Sequence, residues 1–307
     1  MKYIFASIAL LLCLLPAEAQ RRASLGQRHR PSQAYLKKKD KEKRNPGAPM
    51  PFADSQVWLG LKGGLNTTRA LPTERYAVFM STQGEAANAA FQKEYESFGQ
   101  VNFQFGVVAS YNFAQYLSVS FQPTYSNMYF AYRNQYRWFG QGNNNVELNQ
   151  THRYQLTYIE APLLVRFDIL RRRFRPYVQG GAFYGRLIGA EKFITTTSAD
   201  KASGAVNPLE NTSPNIGARD LFIRSNWGWM GGLGLSYDVG NVRIGLEGLY
   251  RFGQNNITNQ RNRYTDDRLT SVGDVPDNLR LRNIECYFTV VFPMKFLEKS
   301  GFDKVSP

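Results

Sequence analysis

Between Val57 and Leu65 the odd positions Val57, Leu59, Leu61 and Leu65 are apolar, while Lys62 falls on the even set with Trp58, Gly60 and Gly64. A period of two marks a β-strand with one apolar face, because successive side chains point to opposite sides. The alternation is clearest where Val101, Phe103, Phe105, Val107, Ala109, Tyr111 and Phe113 oppose Asn102, Gln104, Gly106, Val108, Ser110 and Asn112. Leu117, Val119, Phe121 and Tyr125 repeat it. Beyond Asn127 the apolar set moves to Met128, Phe130 and Tyr132. Such a one-residue slip predicts a bulge, or an extension of the strand past the bilayer where facing matters less. Further strands are predicted over about 153–169, 174–188, 221–239, 242–252 and 284–292.

The connections between these eight strands alternate in length: about 33 residues, four, about 20, four, about 32, two and about 30. Long loops at one end and short turns at the other predict an all-β fold, an eight-stranded antiparallel transmembrane β-barrel. Closing the sheet leaves no unpaired edge in lipid. Beginning and finishing on the short-turn side predicts a multi-pass barrel in an outer membrane, with both termini periplasmic and the long loops extracellular. The turn Asp238-Val239-Gly240-Asn241 has hairpin chemistry. A soluble β-barrel or sandwich would turn its apolar face inward. Here the opposite face carries Lys62, Glu160, Arg166, Arg243, Glu247, Arg251 and Glu285 among many glycines, a set better placed inside a barrel than outside one.

The first residues change the picture of the whole. Met1-Lys2, an apolar run from Ile4 to Leu15 and Ala17-Glu18-Ala19 predict a cleaved signal peptide over residues 1–19. Leu11 and Leu12 ahead of Cys13 do not suit lipoprotein processing. With the signal removed only Cys286 remains, which excludes an internal disulfide and a cysteine metal site. The formal net charge is +14, and ten Lys/Arg between Arg21 and Arg44 face only Asp40 and Glu42. Without apolar periodicity, and followed by Pro46, Pro49 and Pro51, this stretch predicts a basic disordered periplasmic arm over 20–55. The barrel domain is expected over 56–293, followed by a periplasmic C-terminal tail over 294–307. A secreted chain rarely meets nucleic acid, so no nucleic-acid partner is expected for the arm. Anionic lipid or peptidoglycan is its expected contact, or an acidic envelope protein; a soluble tether that keeps the precursor unfolded is the alternative.

Tyr158-Ile159-Glu160-Ala161-Pro162-Leu163-Leu164-Val165-Arg166-Phe167, followed by Arg175-Pro176-Tyr177-Val178-Gln179-Gly180-Gly181, resembles the central signature of the PorT family of Bacteroidetes outer-membrane β-barrels. Trp58-Leu59-Gly60-Leu61-Lys62-Gly63-Gly64-Leu65-Asn66 and Phe121-Gln122-Pro123-Thr124-Tyr125 are similar to that family's first and third strands. The resemblance covers about Val57 to Phe292. It departs at Ala161, where an aliphatic residue is commoner, and in the C-terminal tail. It implies an integral outer-membrane protein and, for the namesake branch, a part in type IX protein secretion. The Arg171-Arg172-Arg173 turn resembles that branch and is a candidate periplasmic contact.

An eight-stranded barrel is just wide enough for side chains to fill it. The interior charges are therefore expected to pair into a plug; the alternative is a small channel or ligand-binding barrel. Catalysis has little material. His152 with Ser126 on the paired strand imitates a lipid hydrolase at the rim, against the plainer reading of ordinary polar rim residues. Trp58, Tyr132, Trp138, Trp227 and Trp229 are expected in the interfacial aromatic girdle. No cofactor, metal site or catalytic residue is expected. The expected function is a non-enzymatic scaffold or accessory component of a membrane assembly, with outer-membrane lipid and secretion-system or other envelope proteins as partners.

Overall fold

The structure is a computed structural model and describes residues 57–76, 91–114, 116–139, 145–170, 172–200, 207–212, 216–264 and 274–294. The expected signal peptide, basic arm, Arg171 and the tail past Met294 lie outside the described residues. All the described strands pair antiparallel: β1 (Val57–Glu74), β2 (Phe91–Tyr95), β3 (Val101–Asn112), β4 (Leu117–Phe121), β5 (Thr124–Phe139), β6 (Asn145–Asp168), β7 (Phe174–Asp200), β8 (Asn207–Thr212), β9 (Ile216–Gly217), β10 (Ser225–Val239), β11 (Val242–Gly253) and β12 (Asn278–Pro293). β4 and β5 are two halves of one wall strand, so eight strands close the ring β1–β3–β4/β5–β6–β7–β10–β11–β12. β2 lies on β5, and β8 and β9 lie on β7, all at the long-loop end.

The register fixes the barrel's dimensions. Stepping between register partners from Arg69 leads through Arg282, Phe252, Trp229, Ala182, Leu163, Phe121 and Ala109 back to Leu59. The offset of ten residues over eight strands corresponds to a tilt of about 40° and a radius of about 8 Å. Outward side chains form an apolar belt, with Leu61 65%, Phe103 77% and Leu233 67% exposed. Exposure that large is unstable in water but suits lipid. At this tilt the belt from Trp227 to Val239 rises roughly 30 Å, enough for a hydrocarbon core.

Several strands run well past the belt, and here the sequence reading needs correction. β6 and β7 extend to Asn145 and Asp200, and the connection from β5 to β6 spans only 140–144 instead of about 20 residues. No slip occurs at Asn127: Ser118, Gln122, Ser126, Met128, Phe130 and Tyr132 all point inward on one unbroken alternation. The interior simply changes from polar within the belt to apolar above it. The wall strand is interrupted earlier, at Gln122-Pro123, where proline has no N–H for the ladder. Bulges lie between Pro72 and Glu74 and at Thr157/Tyr158. Leu221 belongs to a 3-10 turn, not to the sixth strand.

The aromatic girdle is likewise smaller than expected. Trp227 and Trp229 are exposed on the outer wall, whereas Trp58 and Tyr132 are buried inside; the Trp138 side chain lies outside the described set. Gly240 has φ +59°, as the two-residue β10–β11 hairpin requires.

Candidate functional site in the barrel lumen

Inward side chains form three tiers. At the short-turn end Arg243 donates from Nε to Asp238 Oδ1 at 2.6 Å, and Arg175 Nε lies 3.0 Å from Asp238 Oδ2. Arg166 donates to Asp168 Oδ1 at 2.6 Å and to Ser236 Oγ at 2.9 Å. Arg243 also lies over the Trp58 ring, 4.1 Å from its centroid, which explains why that tryptophan turns inward.

Mid-belt, Arg251 holds both oxygens of Glu160, at 2.7 and 2.6 Å, and Glu285 Oε1 at 2.9 Å. Tyr287 donates to the other Glu285 oxygen at 3.2 Å. Lys62 donates to Gln122 Oε1 at 3.0 Å and sits 4.1 Å from the Tyr287 ring centroid. Glu247 accepts from Tyr177 Oη at 2.7 Å and Gln179 Nε2 at 2.9 Å. The Tyr177 ring has room only because position 234 is glycine: a Cβ there would lie 2.1 Å from Tyr177 Cζ. Gly234→Val is therefore expected to push the ring off Glu247 and destabilise the barrel by about 2 kcal/mol, read as a lower urea midpoint of the folded protein in detergent.

The seven charges picked out in the sequence thus all line the lumen, but in separate groups. Asp168, Arg175 and Asp238 complete the first tier; the first and last fall on the polar sets of their strands in sequence but stand outside the network expected there. Arg175 alternates inward with Tyr177 and Gln179 on the strand expected from Phe174, whose facing Gly180, Gly181 and Gly185 obscure in sequence. Five cations (Lys62, Arg166, Arg175, Arg243, Arg251) stand beside five carboxylates (Glu160, Asp168, Asp238, Glu247, Glu285), so these groups sum to zero. Of the arginine turn, Arg172 is exposed and its carbonyl accepts from Arg175 Nε at 3.0 Å, while the Arg173 carbonyl accepts the Asp238 N–H at 2.9 Å.

Above the belt lies an apolar layer including Met128, Phe130, Tyr154, Leu156, Tyr158, Leu187, Leu221, Phe222 and Ile257. Phe130 and Tyr154 stack at 5.0 Å, and Phe222 meets Tyr154 edge-on at 5.4 Å. Over it the strap 274–277, which leads into β12, is drawn into the mouth. Asp274 accepts from Tyr132 Oη at 2.7 Å and Asn134 Nδ2 at 2.9 Å, with Lys93 Nζ at 3.5 Å, Lys192 Nζ at 3.4 Å and His152 Nδ1 at 3.6 Å. Asp277 accepts from Tyr95 Oη at 2.7 Å and lies 3.4 Å from Lys93 Nζ. Lys93 also donates to the Val275 carbonyl at 2.9 Å. No periodicity marks Lys93 or Asp274 in sequence, so this tier was invisible there.

These groups stand clear of the lipid belt. Burial, the largest influence, drives the His152 imidazole down to about 3; Asp274 opposes this, and Lys192 and Lys93 add to it. Burial would raise the Asp274 carboxyl, but protonated His152, Lys93, Lys192 and the Tyr132 hydroxyl outweigh it and hold the group below the usual carboxylate range. With His152 neutral at pH 7, the two lysines carry that role. His152 does not meet Ser126: it is in register with Tyr132, whereas Ser126 is in register with Tyr158 and bonds Asn66. Among the described residues no group of three His, Cys, Asp or Glu is placed to hold a metal. Two lumen cavities measure about 10 Å³ in the aromatic layer and about 30 Å³ beside Arg166, Arg243 and Glu247. Each is room for a water or two.

A family model described as outer membrane protein beta-barrel domain matches residues 44–259. No curated protein matches the sequence. Among solved structures, the chain is similar to OprG from Pseudomonas aeruginosa at 12% identity, covering 78% of this chain and 95% of that one with a TM-score of 0.36. It is also similar to Ail, the attachment invasion locus protein of Yersinia pestis, at 11% identity, covering 77% of this chain and 99% of that one with a TM-score of 0.29.

Proposed function

The chain belongs to the outer membrane protein beta-barrel domain family, and from that premise we propose that it serves as a non-enzymatic scaffold or accessory component of an outer-membrane assembly. The observation that carries this is the filled lumen: balanced charge pairs beneath an apolar layer, capped by a strap of the chain itself. A channel needs continuous water and an uncompensated field to select ions. Neither is supported by paired charges at 2.6–3.0 Å and cavities of one or two waters. An enzymatic role finds no support in the pair suggested by sequence, since His152 is buried against Asp274, Asn134, Tyr132 and two lysines, and Ser126 lies elsewhere in the lumen.

Type IX secretion is the assembly we infer, on the strength of the PorT-like segments in β1, β4/β5, β6 and β7. In this reading the short turns and both termini are periplasmic, and the basic arm and Arg171-Arg172-Arg173 meet secretion-system proteins, anionic lipid or peptidoglycan. Planar-bilayer recordings of the purified protein are expected to show no discrete openings; stable unitary conductance would replace this reading with transport. Affinity purification from native membranes is expected to bring secretion components with the barrel, and deletion of residues 21–44 to weaken that recovery at least several-fold without preventing insertion. Recovery of the barrel alone would count against the scaffold.

A further inference from the structure

Arginines are treated differently on the two faces of this barrel. Inside the belt, Arg166, Arg175, Arg243 and Arg251 each have a carboxylate. On the outer wall, Arg69 of β1 stands directly opposite Arg282 of β12, and Arg280 is the next residue of β12 on the same face, opposite Leu71. Among the described residues no carboxylate pairs with any of the three. Glu74, farther along β1, is taken up by Tyr76 and Asn278. By contrast, Arg133 elsewhere on the outer wall faces Glu94 across the β2–β5 ladder.

Like charges directly opposite on a sheet destabilise it. The cost is compounded at Arg282, whose Nη1 is shielded from solvent yet has no hydrogen-bond partner. Its guanidinium lies 4.7 Å from the centroid of the Phe252 ring, which fixes it flat against the wall instead of extended into water. Position on the barrel supplies the missing anion. Ile284, two residues toward the belt, is 45% exposed, and Leu65 on β1 and Phe252 on β11 are 42% and 41% exposed. Along β1 and β12 the trio therefore stands roughly 5–10 Å past Leu65 and Ile284. Phe252 is in register beside Arg282, and Val101 is in register with Thr67, two residues before Arg69, so the trio lies at the upper edge of the apolar belt, within reach of lipid head groups.

Backbone positions of the three are about 5 Å apart across the ladder and about 7 Å apart along β12. At these backbone spacings three arginine side chains are long enough to converge on one phosphate, and guanidinium recognises phosphate through paired N–H donors. We propose that Arg69, Arg280 and Arg282, backed by Phe252, bind the phosphate groups of a phosphorylated glycolipid of the outer leaflet. The site rests on the orientation above, in which the long-loop end faces outward.

Orientation is tested separately, by labelling Tyr264→Cys in whole cells with a membrane-impermeant maleimide in a Cys286→Ser background. Labelling is expected, since Tyr264 is 73% exposed at the long-loop end. Protection in intact cells but not in lysed ones would put the trio in the inner leaflet and overturn the proposal. Binding is read by native mass spectrometry of the refolded full barrel with bis-phosphorylated lipid A, the same lipid stripped of phosphate, phosphatidylglycerol and inorganic phosphate. The wild type is expected to retain bis-phosphorylated lipid A at least tenfold better than the other three, and Arg69→Gln/Arg280→Gln/Arg282→Gln to lose that preference. Equal retention of the two glycolipids, or of phosphatidylglycerol, overturns it whatever the variants do. Heat-modifiable migration verifies folding of the triple variant. If it does not fold, Arg280→Gln, which removes only an exposed head group, is expected to lose about threefold, and no loss overturns the site.

Discussion

Replacing Arg251 by methionine is expected to cost the barrel about 3–5 kcal/mol, the largest effect of any single lumen substitution. Arg251 is 2% exposed and is the cation that holds Glu160 and Glu285, themselves 2% and 1% exposed. Its removal leaves two carboxylates facing each other in the middle of the belt, with Lys62 committed to Gln122 and the Tyr287 ring. Urea unfolding in detergent, followed by the heat-modifiable band, should show a midpoint far below wild type or no folded species. The reason is desolvated charge and not lost packing, so neutralising the partners should repair it. Arg251→Met/Glu160→Gln/Glu285→Gln is expected to recover most of the loss. A single variant within about 1 kcal/mol of wild type, or a triple variant no better than the single, would show that the triad does not hold the lumen together.

That expectation also bears on why the barrel is filled. A lumen of radius about 8 Å can be closed with apolar side chains or with paired charges. This chain does both in sequence along its axis, pairs within the belt and an aromatic layer above it. Charged inward residues cannot swap to the lipid face, so each pair also fixes which face of its strand is inside. A one-residue slip would place Arg251 or Glu160 in hydrocarbon. The pairs therefore specify register at least as much as they add stability.

The wall was legible because it is periodic. Val101 to Phe113 and Val242 to Phe252 alternate with few exceptions, such as Val108 and Leu249 on the inward set, and lipid outside with paired charge inside makes the two faces chemically opposite. The same contrast exposed Lys62, Glu160, Arg166, Arg243, Glu247, Arg251 and Glu285. Legibility stopped where the contrast stops. Past the belt both faces of β5, β6 and β7 can be mixed, so the switch at Met128 looked like a slip when it was a change in what the interior contains. Trp58 looked like a girdle residue because tryptophan favours interfaces, but Arg243 offers its ring a cation inside. The strap was beyond reach for a different reason. Asp274 and Lys93 are separated by a long stretch of chain, and only the closed ring brings them to 3.5 Å.

Asp274→Asn is expected to release that strap. Lys93 and Lys192 would lose the anion they share, and Asn134 and Tyr132 would keep only a neutral acceptor; breaking a buried pair of this kind costs about 3 kcal/mol. The strap, not the wall, should bear the loss, so trypsin should cut within residues 261–280 tens of times faster while the barrel still runs as a folded species. Acid should do the same to the wild type. The folded pKa of His152, about 3, lies below its unfolded value near 6.5, so the closed mouth disfavours the protonated ring. Its contribution to closure is complete above about pH 6.5 and is lost as pH falls toward 3. Asp274, held below its ordinary range, acts with the same sign: its contribution is present above about pH 4 and lost below. The groups facing His152 are Asp274 on the strap, Tyr132 and Asn134 on β5, Lys93 on β2 and Lys192 on β7, and at neutral pH the two lysines balance Asp274 and Asp277. Strap accessibility, followed by hydrogen exchange of residues 274–277, should therefore rise between pH 6.5 and 4, and His152→Gln should flatten that rise. A strap cut no faster in Asp274→Asn would mean that Asp274 does not hold the mouth closed, and one equally protected at pH 7 and pH 4 would mean that the neutral His152 ring does not contribute to closure.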